Sequence, residues 1–310
     1  MIKGARFADI SVTETTAFPM IPADAPSPIT VVRSVQDLRR VVQSWRSKGR
    51  SVALVPTMGA LHQGHLSLVE IAKARADRII VSIYVNPTQF APHEDFDSYP
   101  RNVSDDLSHL EKAPVHLAYT PSDRDMYPNG FTTRVSVSKL TEGLCAETRP
   151  HFFVGVTTVV TKLLLHSTPD IVVFGEKDYQ QLLVIKRLVE DLALPVEVLA
   201  GPISRESDGL AISSRNEYLT KPQREIASRF NKILEDTTEA IVRGANIPMQ
   251  IASGEQALLS VGFDRVDYLE VRDASDLTPV ENLTAPARLL GAVWLDKTRL
   301  IDNCPVMPRR

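Results

Sequence analysis

The chain has 310 residues, 43% of them hydrophobic and 24% charged, and a formal net charge of −3 at pH 7. That length suits two domains, or one large domain with an appendage, and the composition describes a globular chain with a sizeable buried interior, which excludes wholesale disorder. The lack of a basic excess argues against nucleic acid and against an anionic membrane as partners.

Residues 1 to about 29 carry Thr13-Glu14-Thr15-Thr16 and a proline-rich piece from Pro19 to Pro28, with no period that could cover a core, and read as a loosely attached arm. From Ser51 short β-branched runs alternate with longer amphipathic ones: 51–55 predicts a strand, 66–76 a helix and 79–85 a second strand. A strand at 115–119, a helix at 157–166, a strand at 171–174, a helix at 179–192 and a strand at 196–199 continue the βαβ grammar. Near-continuous apolar strands are buried on both faces, so the fold class is α/β with a parallel, doubly wound, Rossmann-like sheet. Near Gly201-Pro202 the grammar changes to helices at 223–242 and 249–261, then strands at 266–271 and 288–295, with 278–286 a surface loop. The expected division is an arm at 1–29, the Rossmann-like domain at 30–203 and a smaller α+β domain at 204–310. Cys145 and Cys304 lie far apart, with neither metal-ligand spacing nor a disulfide framework, which fits free thiols in a reducing compartment. No run of 18 apolar residues occurs and polar interruptions break the start of the chain, so the cytoplasm is the expected location.

In a doubly wound sheet ligands sit at the carboxyl ends of strands, where loops lead into helix N-termini that attract anions. Four such loops carry chemistry. After the first strand comes Pro56-Thr57-Met58-Gly59-Ala60-Leu61-His62-Gln63-Gly64-His65, leading into a helix expected near Leu66. Two histidines three apart at a helix start, with Gly64 allowing close approach, can point at one phosphate chain; the alternative is a pair of exposed loop histidines. After the second strand, Asn86-Pro87-Thr88-Gln89-Phe90 ends on an amide able to donate and accept toward hydroxyl and carboxylate groups, or is a plain turn closed by Asn-Pro. Gly175-Glu176-Lys177-Asp178-Tyr179-Gln180-Gln181 can seat a ribose and a phosphate, or merely cap a helix. Gly209-Leu210-Ala211-Ile212-Ser213-Ser214-Arg215-Asn216 can clamp phosphates, or is a Ser-Ser cap with a surface arginine.

Taken in order and spacing, these four elements resemble those of the pantothenate synthetase (pantoate–β-alanine ligase) family from about residue 30 nearly to the end. Asp267-Tyr268-Leu269-Glu270-Val271-Arg272-Asp273 and Arg299-Leu300-Ile301-Asp302-Asn303 are also similar to the family's. The resemblance implies an ATP-dependent ligase that condenses pantoate with β-alanine through a pantoyl-adenylate, releasing AMP and pyrophosphate. It implies ATP as co-substrate, Mg²⁺, and a homodimer. By the same resemblance the loop Met58-Gly59-Ala60-Leu61-His62-Gln63-Gly64-His65 would wrap ATP, with His62 and His65 on the triphosphate and His65 at the family's proton-donor position. Gln89 and Gln181, beside Pro56, Thr57 and Met58, would bind pantoate, Gln89 also lying near the β-alanine site. In the Gly175-Glu176-Lys177-Asp178 loop, Gly175 and Asp178 would hold the ribose and Lys177 the phosphates, and Ser204 would sit near the adenine. Ile212, Ser213, Ser214 and Arg215 would close over the phosphates, the last three acting in catalysis with His62, His65 and Lys177. Asp105, and with it Asp106, matches a place associated with magnesium, the alternative being surface acids on a helix.

The chain departs from the family's R-P-x-H-F-x-G-V with Arg149-Pro150-His151-Phe152-Phe153-Val154-Gly155-Val156: Phe152 stands at the usual histidine and His151 falls one residue early. On an extended segment that shift turns the side chain to the opposite face, so His151 is left out of the catalytic set. Ile212 replaces the commoner methionine, Ala146 stands where glycine is usual, and the arm exceeds the family's start. Two other readings stand beside this one: an adenylyltransferase acting on a nucleotide or phosphopantetheine, which shares the H-x-G-H element but lacks the paired glutamines, and an ATP-binding regulator without turnover, which the Phe152 departure makes conceivable.

Overall fold

The computed structural model describes residues 29–91 and 94–309, so the expected arm lies, apart from Ile29, outside the described residues. The chain opens with β1 (Thr30–Val32), α1 (Val35–Arg46), β2 (Val52–Thr57), α2 (Gln63–Lys73) and β3 (Arg78–Ile83). Next come α3 (Val103–Leu110), β4 (Leu117–Tyr119), the single turns α4 (Asp123–Met126) and α5 (Cys145–Thr148), and the long α6 (Phe152–Ser167). The first sheet closes with β5 (Ile171–Gly175), α7 (Tyr179–Asp191) and β6 (Glu197–Gly201). The chain then forms α8 (Lys221–Ala227), α9 (Arg229–Val242), α10 (Ile247–Ser260), β7 (Arg265–Asp273), β8 (Ala287–Leu295) and β9 (Thr298–Val306).

All six strands of the first sheet are parallel, in the order β1-β4-β3-β2-β5-β6. The period of two explains why its apolar runs are unbroken. Leu54, Ile80 and Val172 face a core built with α1, α6 and α7, while their neighbours Ala53, Ile79 and Ile171 face a second core under α2 and α3. The doubly wound α/β class expected from the sequence is the class observed. The second sheet, β7-β8-β9, is antiparallel. One of its faces carries Tyr268, Leu290 and Ala292 into the main core; the other packs Leu269, Leu289 and Val293 against Phe230, Leu234 and Leu258 in a core of its own.

Several boundaries differ from the sequence expectation. Alternation alone left out β9, β1 and α1, and the single helix expected at 223–242 is two, α8 and α9, meeting at Ser228. Helix α6 starts five residues before the expected 157, because Phe153 and Val156 continue its buried apolar face into the main core. No helix among the described residues is long and apolar enough to cross a membrane.

Candidate active site

From β2 the sheet is built one way through β3 and β4 and the other way through β5 and β6. Loops leaving the carboxyl ends of β2 and β5 therefore diverge and leave a crevice at this switch point. A cleft of about 920 Å³ opens there, and all four loops singled out in the sequence contribute to its wall.

The loop after β2 turns sharply because Gly59 and Ala60 both take left-handed backbone angles, φ 81° and 49°. Its amides are taken up by internal acceptors. Gly59 N–H donates to Thr57 Oγ1 at 3.2 Å, and Ala60 and Leu61 N–H donate to the buried carboxylate of Asp106 at 3.2 and 2.8 Å. Helix α2 starts at Gln63, three residues before the expected Leu66, so His62 is its N-cap and His65 lies in its first turn. His65 Nδ1 accepts from His62 N–H at 3.3 Å, which leaves the proton of neutral His65 on Nε2. The two rings stack with centroids 4.0 Å apart. A Cβ on Gly64 would sit 3.0 Å from the His62 ring, so any other residue there would push that imidazole off its place against the helix start. Burial, with the charge of Lys177 adding to it, pulls His62 down to about 4; burial, then His62 and Lys177, pulls His65 down to about 3. Both imidazoles are uncharged at neutral pH and offer hydrogen bonds rather than cations.

Gln89 is buried at the end of the turn Pro87–Gln89, its Oε1 accepting from Asn86 Nδ2 at 3.1 Å and its Nε2 reaching Met58 Sδ at 2.9 Å. Pro56, Thr57, Met58 and Gln89 all line the cleft. Asn86 also donates to Gly155 O at 3.2 Å and accepts from Tyr127 at 2.8 Å, so the Asn-Pro turn is bolted to α6. The adjacent amides of α7 divide as the helical rotation requires. Gln180 turns inward to Leu140 O and Cys145 N–H, whereas Gln181 lines the cleft.

After β5, Gly175, Lys177 and Asp178 line the cleft. Glu176 does not: its carboxylate pairs with Arg288 of β8 at 2.9 Å, so the structure gives it a role in joining the two sheets. Asn303 of β9 donates to the carbonyls of Glu176 and Lys177 at 2.9 and 3.0 Å, fixing the turn that aims Lys177. Ser204 lines the cleft from beyond β6, with its hydroxyl 3.0 Å from Ser67 of α2. Ile212, Ser213, Ser214 and Arg215 complete the opposite wall, Ser213 Oγ accepting from Arg215 N–H at 3.3 Å as the cap of the turn Ser214–Tyr218.

Of the expected site residues, Gly59, Ala60, Leu61, Gln63, Glu176 and Asp105 are not in the wall of the cleft. The first three shape the turn, and Gln63 is exposed. Asp105 is exposed and accepts from the Asn102 side chain, while Asp106 is committed to the two amides above. Among the described residues no group of three or more His, Cys, Asp or Glu is disposed to hold a metal by itself; magnesium usually takes one or two carboxylates together with substrate phosphates, so a site for it would include the nucleotide. Phe152 is in a helix and not in an extended segment: the one-residue offset from His151 is a turn of about 100° rather than a change of face. Phe152 lines the cleft with the Arg149 guanidinium 3.9 Å above its ring, and His151 is exposed.

Sequence reasoning gave no role to Arg149, Glu94, Asp95 or Tyr99, all of which line the cleft. Arg149 stood inside a recognised motif and was the one with a signal. The other three sit in an aperiodic acidic stretch whose partners are 55 or more residues away in the chain.

Comparison with known proteins accords with this geometry. A family model described as pantoate-beta-alanine ligase matches residues 30–305. A pantothenate synthetase of Paramagnetospirillum magneticum is 52% identical over 280 residues, covering 90% of this chain and 99% of the relative. The crystal structure of pantothenate synthetase from Thermus thermophilus is 42% identical, with a TM-score of 0.86 over 90% of this chain and 100% of that one. A pantoate-beta-alanine ligase from Francisella tularensis, solved in complex with beta-gamma ATP and beta-alanine, is 33% identical, with a TM-score of 0.76 over 89% and 97% of the two chains.

Proposed function

This chain belongs to the pantoate–β-alanine ligase family, enzymes that join pantoate to β-alanine, and we propose that it does so through a pantoyl-adenylate, releasing pyrophosphate and then AMP. The observation that carries the reading is the convergence of His62, His65, Lys177 and Arg215 on one cleft with Gln89 and Gln181. The first four are donors suited to a polyphosphate; the two amides suit a hydroxy acid.

A carboxylate is a poor electrophile toward an amine, and AMP supplies the leaving group. In the first step an oxygen of the pantoate carboxylate attacks the α-phosphorus of ATP, the bond to the β-phosphate oxygen breaks, and pyrophosphate departs with the electron pair. Negative charge grows on the departing oxygens, where Lys177 brings a point charge and Arg215 a two-pronged fork. His65 contributes a neutral Nε2–H donor, since its Nδ1 is engaged with His62 N–H. In the second step the neutral amine of β-alanine attacks the acyl carbon, AMP leaves with the bonding pair, and the amine proton passes to solvent or phosphate. Orientation of the reactants can supply about 7–11 kcal/mol of the barrier reduction without a strong base. Gln89, held by Asn86 and Met58, and Gln181, fixed by its place on α7, provide that orientation for pantoate. Residues 30–203 act as the nucleotide- and pantoate-binding domain and 204–310 as the domain that closes over the phosphates. A homodimer working in the cytoplasm is part of the same proposal.

AMP release that requires pantoate and β-alanine together tests the reaction. Pyrophosphate formed with pantoate but no amide on adding β-alanine would sink the second step, and a dinucleotide-type product would favour the adenylyltransferase reading. His65→Ala and Lys177→Ala should each cut turnover by at least about 100-fold with the fold intact, the scale of losing one preorganised donor.

A further inference from the structure

Arg215 carries a second message about the cleft. Its Nε and Nη2 donate to the two carboxylate oxygens of Asp95 at 3.1 and 3.0 Å, a two-on-two pair whose side chains are only 28% and 22% exposed. The preceding residue, Glu94, grips Arg149 in the same way at 2.5 and 2.7 Å, and Arg149 donates further to Gln89 O at 3.0 Å. Tyr99, farther along the same segment, lies 3.3 Å from the Ser214 hydroxyl. The acidic segment is thus tied at one end to the turn carrying Gln89 and at the other to the turn carrying Arg215.

A carboxylate set squarely on a guanidinium presents two oxygens much as a phosphate does. We propose that Asp95 is an internal stand-in for a nucleotide phosphate: it holds the Arg215 fork in place before ATP arrives, and ATP binds by exchanging a phosphate for that carboxylate. The proposal rests on the nucleotide reading above and deepens it. The Nε–Nη2 edge of the guanidinium holds one pair of oxygens at a time, so a phosphate takes that edge only by displacing Asp95. Each nucleotide that binds must therefore break a formed ion pair, and the apparent affinity is reduced by the fraction of molecules in which Arg215 is engaged. When the phosphates leave, Asp95 returns to the fork and opposes their rebinding. Asp95 is accordingly a specificity-setting residue that weighs phosphate content, with no contact to the adenine needed.

Calorimetric titration of the full chain with a nonhydrolysable ATP analogue, inorganic pyrophosphate and adenosine separates this from its competitors. Asp95→Asn, nearly isosteric, should bind the analogue and pyrophosphate about fivefold more tightly, the gain expected when most molecules no longer need to break the pair. Adenosine, which has no phosphate, should bind within about twofold of the original chain and thereby also reports an intact fold. Asp97→Asn removes the same charge from an exposed position of the same segment and should change none of the three. Unchanged or weaker binding of the analogue by Asp95→Asn overturns the proposal, as does an equal gain from Asp97→Asn or an equal gain for adenosine. If the original chain bound neither the analogue nor pyrophosphate, the nucleotide reading itself would fall, an outcome distinct from binding without a gain.

Discussion

His62 and His65 are held neutral by their surroundings, and the same surroundings write a pH dependence into the fold. Free of the structure each imidazole titrates near 6.5; burial, reinforced by Lys177, lowers the two to about 4 and about 3. Between those limits the unfolded chain binds protons that the folded chain refuses, so stability present above pH 6.5 is lost as pH falls toward 4 for His62 and toward 3 for His65. Urea unfolding at pH 7 and pH 5 should show the folded state weaker at pH 5, and the His62→Gln/His65→Gln double variant should lose less over that interval. An equal loss in both proteins would place the effect elsewhere, the half-buried His116 and the buried His166 being the other imidazoles with lowered values. The positions of the two histidines could be read from the chain, because a motif is local. Their tautomer and charge could not, because these depend on a backbone amide three residues back and on a lysine from the turn after β5.

Among the elements, α6 and the turn before Gln89 depend on one glycine. A Cβ on Gly155 would collide with Thr88 O and lie 2.8 Å from Gln89 N, so α6 can seat the turn only where a side chain is missing. Gly155→Ala should cost about 1–3 kcal/mol in urea unfolding, as overpacking does. It should also raise KM for pantoate severalfold while moving KM for ATP much less, since the displaced atoms belong to the Gln89 turn. Comparable rises in both would show a general loosening instead. The sequence marked 86–90 as a turn and 157–166 as helix, and both exist. It could not mark their contact, because no period or propensity records that a helix backbone meets a turn at van der Waals distance. For the same reason Asp106, an acidic residue in the first turn of α3, carried no sign that it would be buried beneath the Gly59-Ala60-Leu61 bend and bind its amides.

Across the whole molecule, the second sheet is a brace for the first. Asn303 binds the Glu176 and Lys177 carbonyls and receives Arg288 at 2.6 Å, while Arg288 reaches Glu176 and lies 4.3 Å over the Tyr179 ring. Removing one member leaves buried partners unsatisfied, so Asn303→Ala should cost about 1–3 kcal/mol of stability. Because the freed carbonyls include that of Lys177, KM for ATP should rise as well, measured by initial rates at saturating pantoate. A purely structural loss with unchanged KM for ATP would show that β9 does not position the lysine.

Unaided, the sequence determined the α/β class, the sites of four loops and the residue types offered to a polyphosphate and a hydroxy acid, because strand runs, helix periods and turn residues are short-range patterns. Only the tertiary structure decided which of those residues share a wall: it withdrew Glu176 to a sheet junction, turned Gln180 inward and Gln181 outward, and set Asp95 on Arg215 across 120 residues of chain. Such pairings are made by the sheet's switch point and by ion pairs closed over long loops, and both depend on packing that no local stretch of chain encodes.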